Sequence, residues 1–291
     1  MTVPSPELIL DARAELGEGP LWDDWRQRLL FVDIMRGHVH EFDPVTKADR
    51  ILEVAEPVGA VALTMKGDWL IATKTGFWRL DPESGRKSIV AAVEDDQPNN
   101  RMNDGYVDRR GRFWAGTMGM GVRERGSLYR LDPDGTVTRM LSPVSTSNGI
   151  DWSPDDRIMY YVDTPTRRID CFDFDAAGGT LANRRPFVAF PSGTGRPDGL
   201  IVDADGHVWV ALWQGGAVHR YSPAGRLEDV INLPVTLTTK CAFGGPDRRD
   251  MFITSAWIDL AAEERPGQTT AGGVFWLRPG ASGQPSRRFA G

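Results

Sequence analysis

Asp198-Gly199-Leu200-Ile201-Val202-Asp203-Ala204-Asp205-Gly206-His207-Val208-Trp209-Val210-Ala211 holds two short strands and the turn between them. Gly199 to Val202 is an apolar run. Asp205-Gly206 makes a tight turn, because Asp and Gly tolerate the left-handed backbone that a short hairpin requires. His207 to Ala211 is the returning strand. Gly215-Gly216 turns the chain again into Ala217-Val218-His219-Arg220-Tyr221, which ends at Ser222-Pro223.

The same order recurs along the chain. The closing phrase, a large side chain then Asp or Ser then Pro, appears as Phe42-Asp43-Pro44, Leu80-Asp81-Pro82, Leu131-Asp132-Pro133 and Tyr221-Ser222-Pro223. Leu277-Arg278-Pro279 is a looser copy, and Phe172-Asp173-Phe174-Asp175 fills the remaining place. Pro44 and Pro279 lie 235 residues apart over five intervals, 47 per repeat. A fourth, fainter strand follows each phrase, such as Ser88-Ile89-Val90-Ala91. Four strands per repeat of this length is the spacing of a propeller blade. The expected fold is an all-β, six-bladed propeller forming one domain over residues 1–291. The competing arrangements are a β-sandwich and two barrels. Segment 7–13 has no repeat of its own and is expected to complete the last blade and close the ring. Only Asp259 to Arg265 looks helical.

Composition agrees. The chain is 41% hydrophobic with 10 Trp, 32 Gly and 20 Pro, so a large core with many turns is expected and disorder is excluded. The net charge is −6 and no basic stripe appears, so no nucleic-acid partner is expected. Cys171 and Cys241 form no CxxC pair, which suits a reducing compartment. Met1 to Leu10 lacks the features of a signal peptide, and no apolar run is long enough to span a membrane. A cytoplasmic protein without membrane contact, monomeric or weakly self-associating, is the expectation.

Residues at the mouths of inner strands converge on a propeller's axis. Aligning the six inner-strand starts places Glu18, Val58, Asp104, Asn148, Asp198 and Lys240 in one slot. Asp-Gly and Asn-Gly pairs make turns on their own account, yet three acids and an amide at one phase of the repeat are harder to explain that way. Acids buried together are costly unless a cation neutralises them. All the donors are oxygens, which points to Ca²⁺, Mg²⁺ or Mn²⁺, with Zn²⁺ or Fe²⁺ also compatible. His38, His40, His207 and His219 read as ordinary strand positions. Asn99-Asn100-Arg101-Met102-Asn103-Asp104-Gly105 brings a rigid donor fork and amides beside an inner strand, suited to an oxygen-rich ligand.

These residues resemble the SMP-30/gluconolactonase family. The likeness rests on Leu16-Gly17-Glu18-Gly19-Pro20, Leu30-Phe31-Val32-Asp33-Ile34 and the Asn99 to Gly105 run. It continues through Ala115-Gly116-Thr117-Met118, Ser147-Asn148-Gly149-Ile150-Asp151-Trp152-Ser153, Pro197-Asp198-Gly199, Cys241-Ala242-Phe243-Gly244-Gly245 and Phe289-Ala290-Gly291. The resemblance implies one divalent cation held by Glu18, Asn148 and Asp198. It implies substrate contacts at Arg101 and Asn103, with Asp104 near the cation and the substrate, and hydrolysis of a sugar lactone to the aldonic acid. Asp198 is expected to act as the catalytic base, with Asp104 as the rival. Vertebrate members carry acids shortly after the Gly-Thr-Met run. Here Gly119-Met120-Gly121 stands there, and the lid is expected to differ. Hydrolysis of another ester such as a phosphotriester, and a non-enzymatic calcium-binding propeller, are the competing functions.

Overall fold

Period-2 strands bounded by Gly, Asp and Pro leave the chain little choice but antiparallel sheets. The computed structural model describes residues 5–291, and among them 24 strands form six four-stranded antiparallel sheets. Five sheets use consecutive strands. The sixth runs Thr238–Gly244, Asp250–Ser255, Val274–Leu277 and then Glu7–Leu10. Glu7 pairs with Trp276 and Leu8 with Phe275, so the N-terminal strand closes the ring as expected.

The inner strands are Gly17–Asp23, Val58–Leu63, Asn100–Val107, Ser147–Trp152, Arg196–Val202 and Thr238–Gly244. Each packs on the next in cyclic order, and the sixth returns to the first. They are buried almost throughout, whereas an outer strand such as Lys87–Ala92 is mostly exposed. Trp69, Trp114, Trp152 and Trp209 are fully buried. Large flat rings fill the space between neighbouring sheets, which accounts for the high Trp content.

The repeated turn residues do local work. Asp203 accepts hydrogen bonds from the backbone N–H of Asp205 and His207 and from Trp209 Nε1. Asp108 does the same for Arg110, Arg112 and Trp114. Asp43 and Asp81 each hold two following N–H groups, the Asx-turn behaviour expected of them. The expected helix over Asp259 to Arg265 does not form. That stretch is turns leading into a 3₁₀ turn at Arg265–Gly267. A helix nucleus is costly in so short a segment, and Pro266 and Gly267 stop it from extending. Among the described residues no helix is long and apolar enough to cross a membrane.

Inner strands begin at one mouth of the channel and end at the other. The C-terminal segment crosses the far mouth as a strap that touches every blade. Ser286 Oγ donates to Trp22 O, and the Phe289 N–H donates to Leu63 O. The Ala290 N–H donates to Gly111 O, and Gln284 Nε2 donates to Trp152 O and Val202 O. The Gly283 N–H donates to Arg248 O. Arg287 forms a buried pair with Asp151 at 2.9 Å, and Arg288 pairs with Asp23 at 2.9 Å. The near mouth is left as the open end.

Candidate active site at the open mouth

A bulge at the start of each inner strand decides which side chains face the open mouth. In blade four Ser147 pairs with Asp163 and Ile150 with Tyr161, leaving Asn148-Gly149 out of register. In blade five Pro197 pairs with Leu212 and Leu200 with Val210, leaving Asp198-Gly199. In blade one Glu18 pairs with Val32 and the bulge follows it. Blade three differs: Met102 pairs with Thr117 and Asp104 with Gly116, so the displaced residue is Asn103. Blade six leaves out Thr239. The single slot expected from sequence therefore splits. Asp104 and Lys240 sit one step past the bulge, and one step along a strand turns a side chain to the other face.

The outcome is a pocket of roughly 340 Å³ lined at its floor by Glu18, Arg101, Asn103, Asn148 and Asp198. Asp104 is not on its wall. Asp104 Oδ1 accepts from Lys240 Nζ at 2.5 Å and from the Gly105 N–H at 2.6 Å. Lys240 lines a small cavity of roughly 20 Å³ deeper in the channel, with Tyr106, Phe243 and Gln284.

Asn148 is held in one orientation. Thr164 Oγ1 donates to Pro197 O at 2.9 Å, so it accepts from Asn148 Nδ2 at 2.8 Å. Asn148 Oδ1 is thereby turned towards Asn103, whose Nδ2 donates to it at 3.2 Å and to Ser147 O at 2.7 Å. Arg101 Nη1 donates to Asn103 Oδ1 at 2.7 Å and to Met102 O at 3.0 Å, while its buried Nε has no partner. Glu18 Oε2 accepts only from the Gly19 N–H, and among the described residues nothing donates to the Asp198 carboxylate.

These groups are buried, and burial dominates their electrostatics. Desolvation, and then the charge of Asp104, push Glu18 up to about 8. Desolvation, followed by the charges of Glu18 and Asp104, lifts Asp198 well above the usual carboxylate range. Burial brings Arg101 down to about 10 against the pull of Glu18 and Asp198. For Lys240 burial acts downward, but Asp104 beside it outweighs burial and the ammonium is favoured. Three acids thus face Arg101, Arg196 and Lys240, the last already committed to Asp104.

The donor set fits a divalent cation. Glu18 and Asp198 each have an oxygen free of protein partners, the Asn148 amide oxygen is aimed beside them, and buried Asp104 Oδ2 has no partner. Among the described residues no three His, Cys, Asp or Glu side chains gather as a metal cluster. The histidines lie elsewhere: His40 bonds Asp49, His207 faces Glu228, and His219 bonds Tyr221.

Sequence reasoning missed the upper wall. Second strands run antiparallel to inner strands, so their ends return to the open mouth. Met35, Met118, Thr164 and Trp213 follow or end second strands, and Ile258 follows the second strand of blade six. That topological rule was the available signal.

The propeller is closed at one mouth by its own C-terminal strap and carries an acid and amide cluster in a pocket at the other. The chain belongs to the SMP-30/gluconolactonase/LRE-like family, whose model matches residues 16–257. It is 38% identical to regucalcin of Xenopus laevis over 293 residues, covering 98% of each chain. It is 38% identical to a Bacillus subtilis protein named "Putative sugar lactone lactonase YvrE", again over 98% of each. A solved structure described as a calcium-binding protein, regucalcin, from Agrobacterium tumefaciens superposes with a TM-score of 0.94. It is 29% identical, with 99% of this chain and 97% of that one covered.

Proposed function

We propose that the chain hydrolyses a sugar lactone, an aldono-1,4- or 1,5-lactone, to the aldonic acid with one divalent cation. One observation carries this reading. Glu18 and Asp198, both desolvated and both without a cationic hydrogen-bond partner, face one pocket beside the Asn148 oxygen. The family and the lactonase name of the Bacillus relative supply the reaction class.

Glu18, Asn148 and Asp198 would hold the cation, which when bound supplies Lewis acidity at the lactone carbonyl. Arg101, with a free buried Nε–H, and Asn103 hold the ring hydroxyls and fix the carbonyl over the floor. Asp198 orients a water and takes its proton as the water oxygen bonds to the carbonyl carbon. The ring carbon–oxygen bond then breaks, and the proton passes to the departing oxygen. Asp104 touches no substrate and acts through its charge and its grip on Lys240. The two free, buried cysteines suit work in the cytoplasm.

The test strips the protein with a chelator and restores Ca²⁺, Mg²⁺, Mn²⁺, Zn²⁺ or Fe²⁺ singly. A pH indicator follows a panel of pentono- and hexonolactones, with spontaneous hydrolysis subtracted. Activity should vanish on stripping and return with at least one ion. Asp198→Asn should lose roughly 10²–10³-fold in kcat. Full turnover by the stripped protein, or by Asp198→Asn, overturns the reading. A calcium-binding propeller without catalysis is the second reading, favoured by the description of the Agrobacterium neighbour. Tight Ca²⁺ binding with no turnover of any lactone would select it.

A further inference from the structure

Most of the pocket's polar side chains gather at its floor. Above Glu18, Asn148 and Asp198 the wall is built by Met35 of blade one, Met118 and Met120 of blade three, Trp213 of blade five and Ile258 of blade six. Met120 is 51% exposed, on a loop turned by Gly121 at φ 76°, so apolar surface waits at the entrance. The polar side chains among these walls are Thr146, Thr164, Arg196 and Asp259. Thr164 Oγ1 bonds Pro197 O and Asn148, and Arg196 Nη2 donates to Gln214 Oε1 at 2.7 Å. Thr146, Asp259 and the other N–H groups of Arg196 are what remain.

A fully hydroxylated lactone carries hydroxyls on its ring and on its tail. Arg101 and Asn103 serve those beside the reacting carbonyl. A hydroxylated tail laid along the methionine, isoleucine and tryptophan side chains would lose hydration, with only Thr146, Arg196 and Asp259 on the wall to replace it. A Trp face does accept the C–H face of a sugar, but the hydroxyl edges would still find few donors and acceptors. Methionines, unbranched and polarizable, adapt to apolar groups of varied shape.

We propose that the lactone taken by this site is amphipathic: hydroxylated next to the carbonyl, with an apolar alkyl or deoxygenated tail against Met35, Met118, Met120, Trp213 and Ile258. This rests on the lactonase reading above and moves its preferred substrate from a fully hydroxylated lactone to one with a less oxygenated tail.

The test uses three lactones with one ring, 2,3-dihydroxy-γ-butyrolactone. One is bare, one carries a dihydroxyethyl tail at C4, and one carries a propyl tail there. The holoenzyme should favour the propyl over the dihydroxyethyl lactone at least tenfold in kcat/KM, mostly through KM. Each further methylene on the alkyl tail should add up to about fourfold until the pocket is full. Calorimetry with the corresponding unhydrolysed lactams should show tighter binding and a more negative heat capacity change for the propyl compound. Met35→Gln/Met120→Gln should lower the propyl-to-dihydroxyethyl ratio. Equal or better turnover of the dihydroxyethyl lactone overturns the amphipathic substrate and leaves the lactonase reading standing. Failure to turn over any of the three, together with failure on every sugar lactone, overturns both.

Discussion

Lys240 and Asp104 show how a single pair conditions the site. Both are nearly fully buried, and their 2.5 Å contact places the one ammonium of the channel under three acids. Removing the lysine alone would leave Asp104 unpaired beside Glu18 and Asp198. Lys240→Met should therefore destabilise the fold by about 3–5 kcal/mol, as measured by urea unfolding. Asp104→Asn/Lys240→Met should recover much of that loss, because no uncompensated charge stays behind. If the single and double variants unfold alike, the pair has no such role.

The inner strands make the next scale legible. Gly149 follows the displaced Asn148, and a Cβ there would lie 2.5 Å from the Leu200 backbone nitrogen and 2.7 Å from Asp198 O. A Cβ on Gly59 would meet the Met102 and Asn103 backbone just as closely. These glycines let one inner strand nest against the next, which is a reason for Asn-Gly and Asp-Gly other than a hairpin turn. Gly149→Ala should cost roughly 1–3 kcal/mol. It should also weaken cation binding, read by calorimetry, because it pushes on the strand that carries Asp198. An unchanged melting temperature would show that the strands have room to spare. The strand count, the period and the closure by segment 7–13 were readable because each is set by local turns and alternation. The floor residues Glu18, Asn148, Asp198, Arg101 and Asn103 were readable too. What the alignment could not show was the bulge register: Asn103-Asp104-Gly105 in blade three displaces one residue where Asn148-Gly149 displaces two. Nor could it show the Met, Trp and Ile wall, since those side chains meet only once four blades stand in a ring.

At the scale of the whole molecule, the C-terminal strap touches all six blades. Arg288 anchors it to Asp23 and lies over the Trp25 ring, 3.4 Å from its centre. Burial would raise the Asp23 carboxyl, but Arg288 and Arg26 outweigh burial and hold it below its ordinary value of 3.8. The folded state thus favours the charged form. Its contribution is complete above about pH 4 and is lost as the pH falls through the lowered value. Arg288→Met should flatten the decline in melting temperature below pH 4. It should also lower stability at neutral pH, both followed by thermal melts across pH 2–7. A parallel, undiminished acid decline in the variant would locate that dependence elsewhere.

The pairing of Glu7–Leu10 with Val274–Leu277 also sets an order of events. Glu7–Leu10 is synthesised before any complete blade yet is among the last to find a partner, with five blades made in between. Until then its edge and that of blade six remain open, and Glu18, a few residues downstream, is tethered on one side only. Chaperone dependence during synthesis should therefore fall on this seam, and a nascent chain halted before residue 274 would carry every floor residue yet no closed ring to aim them.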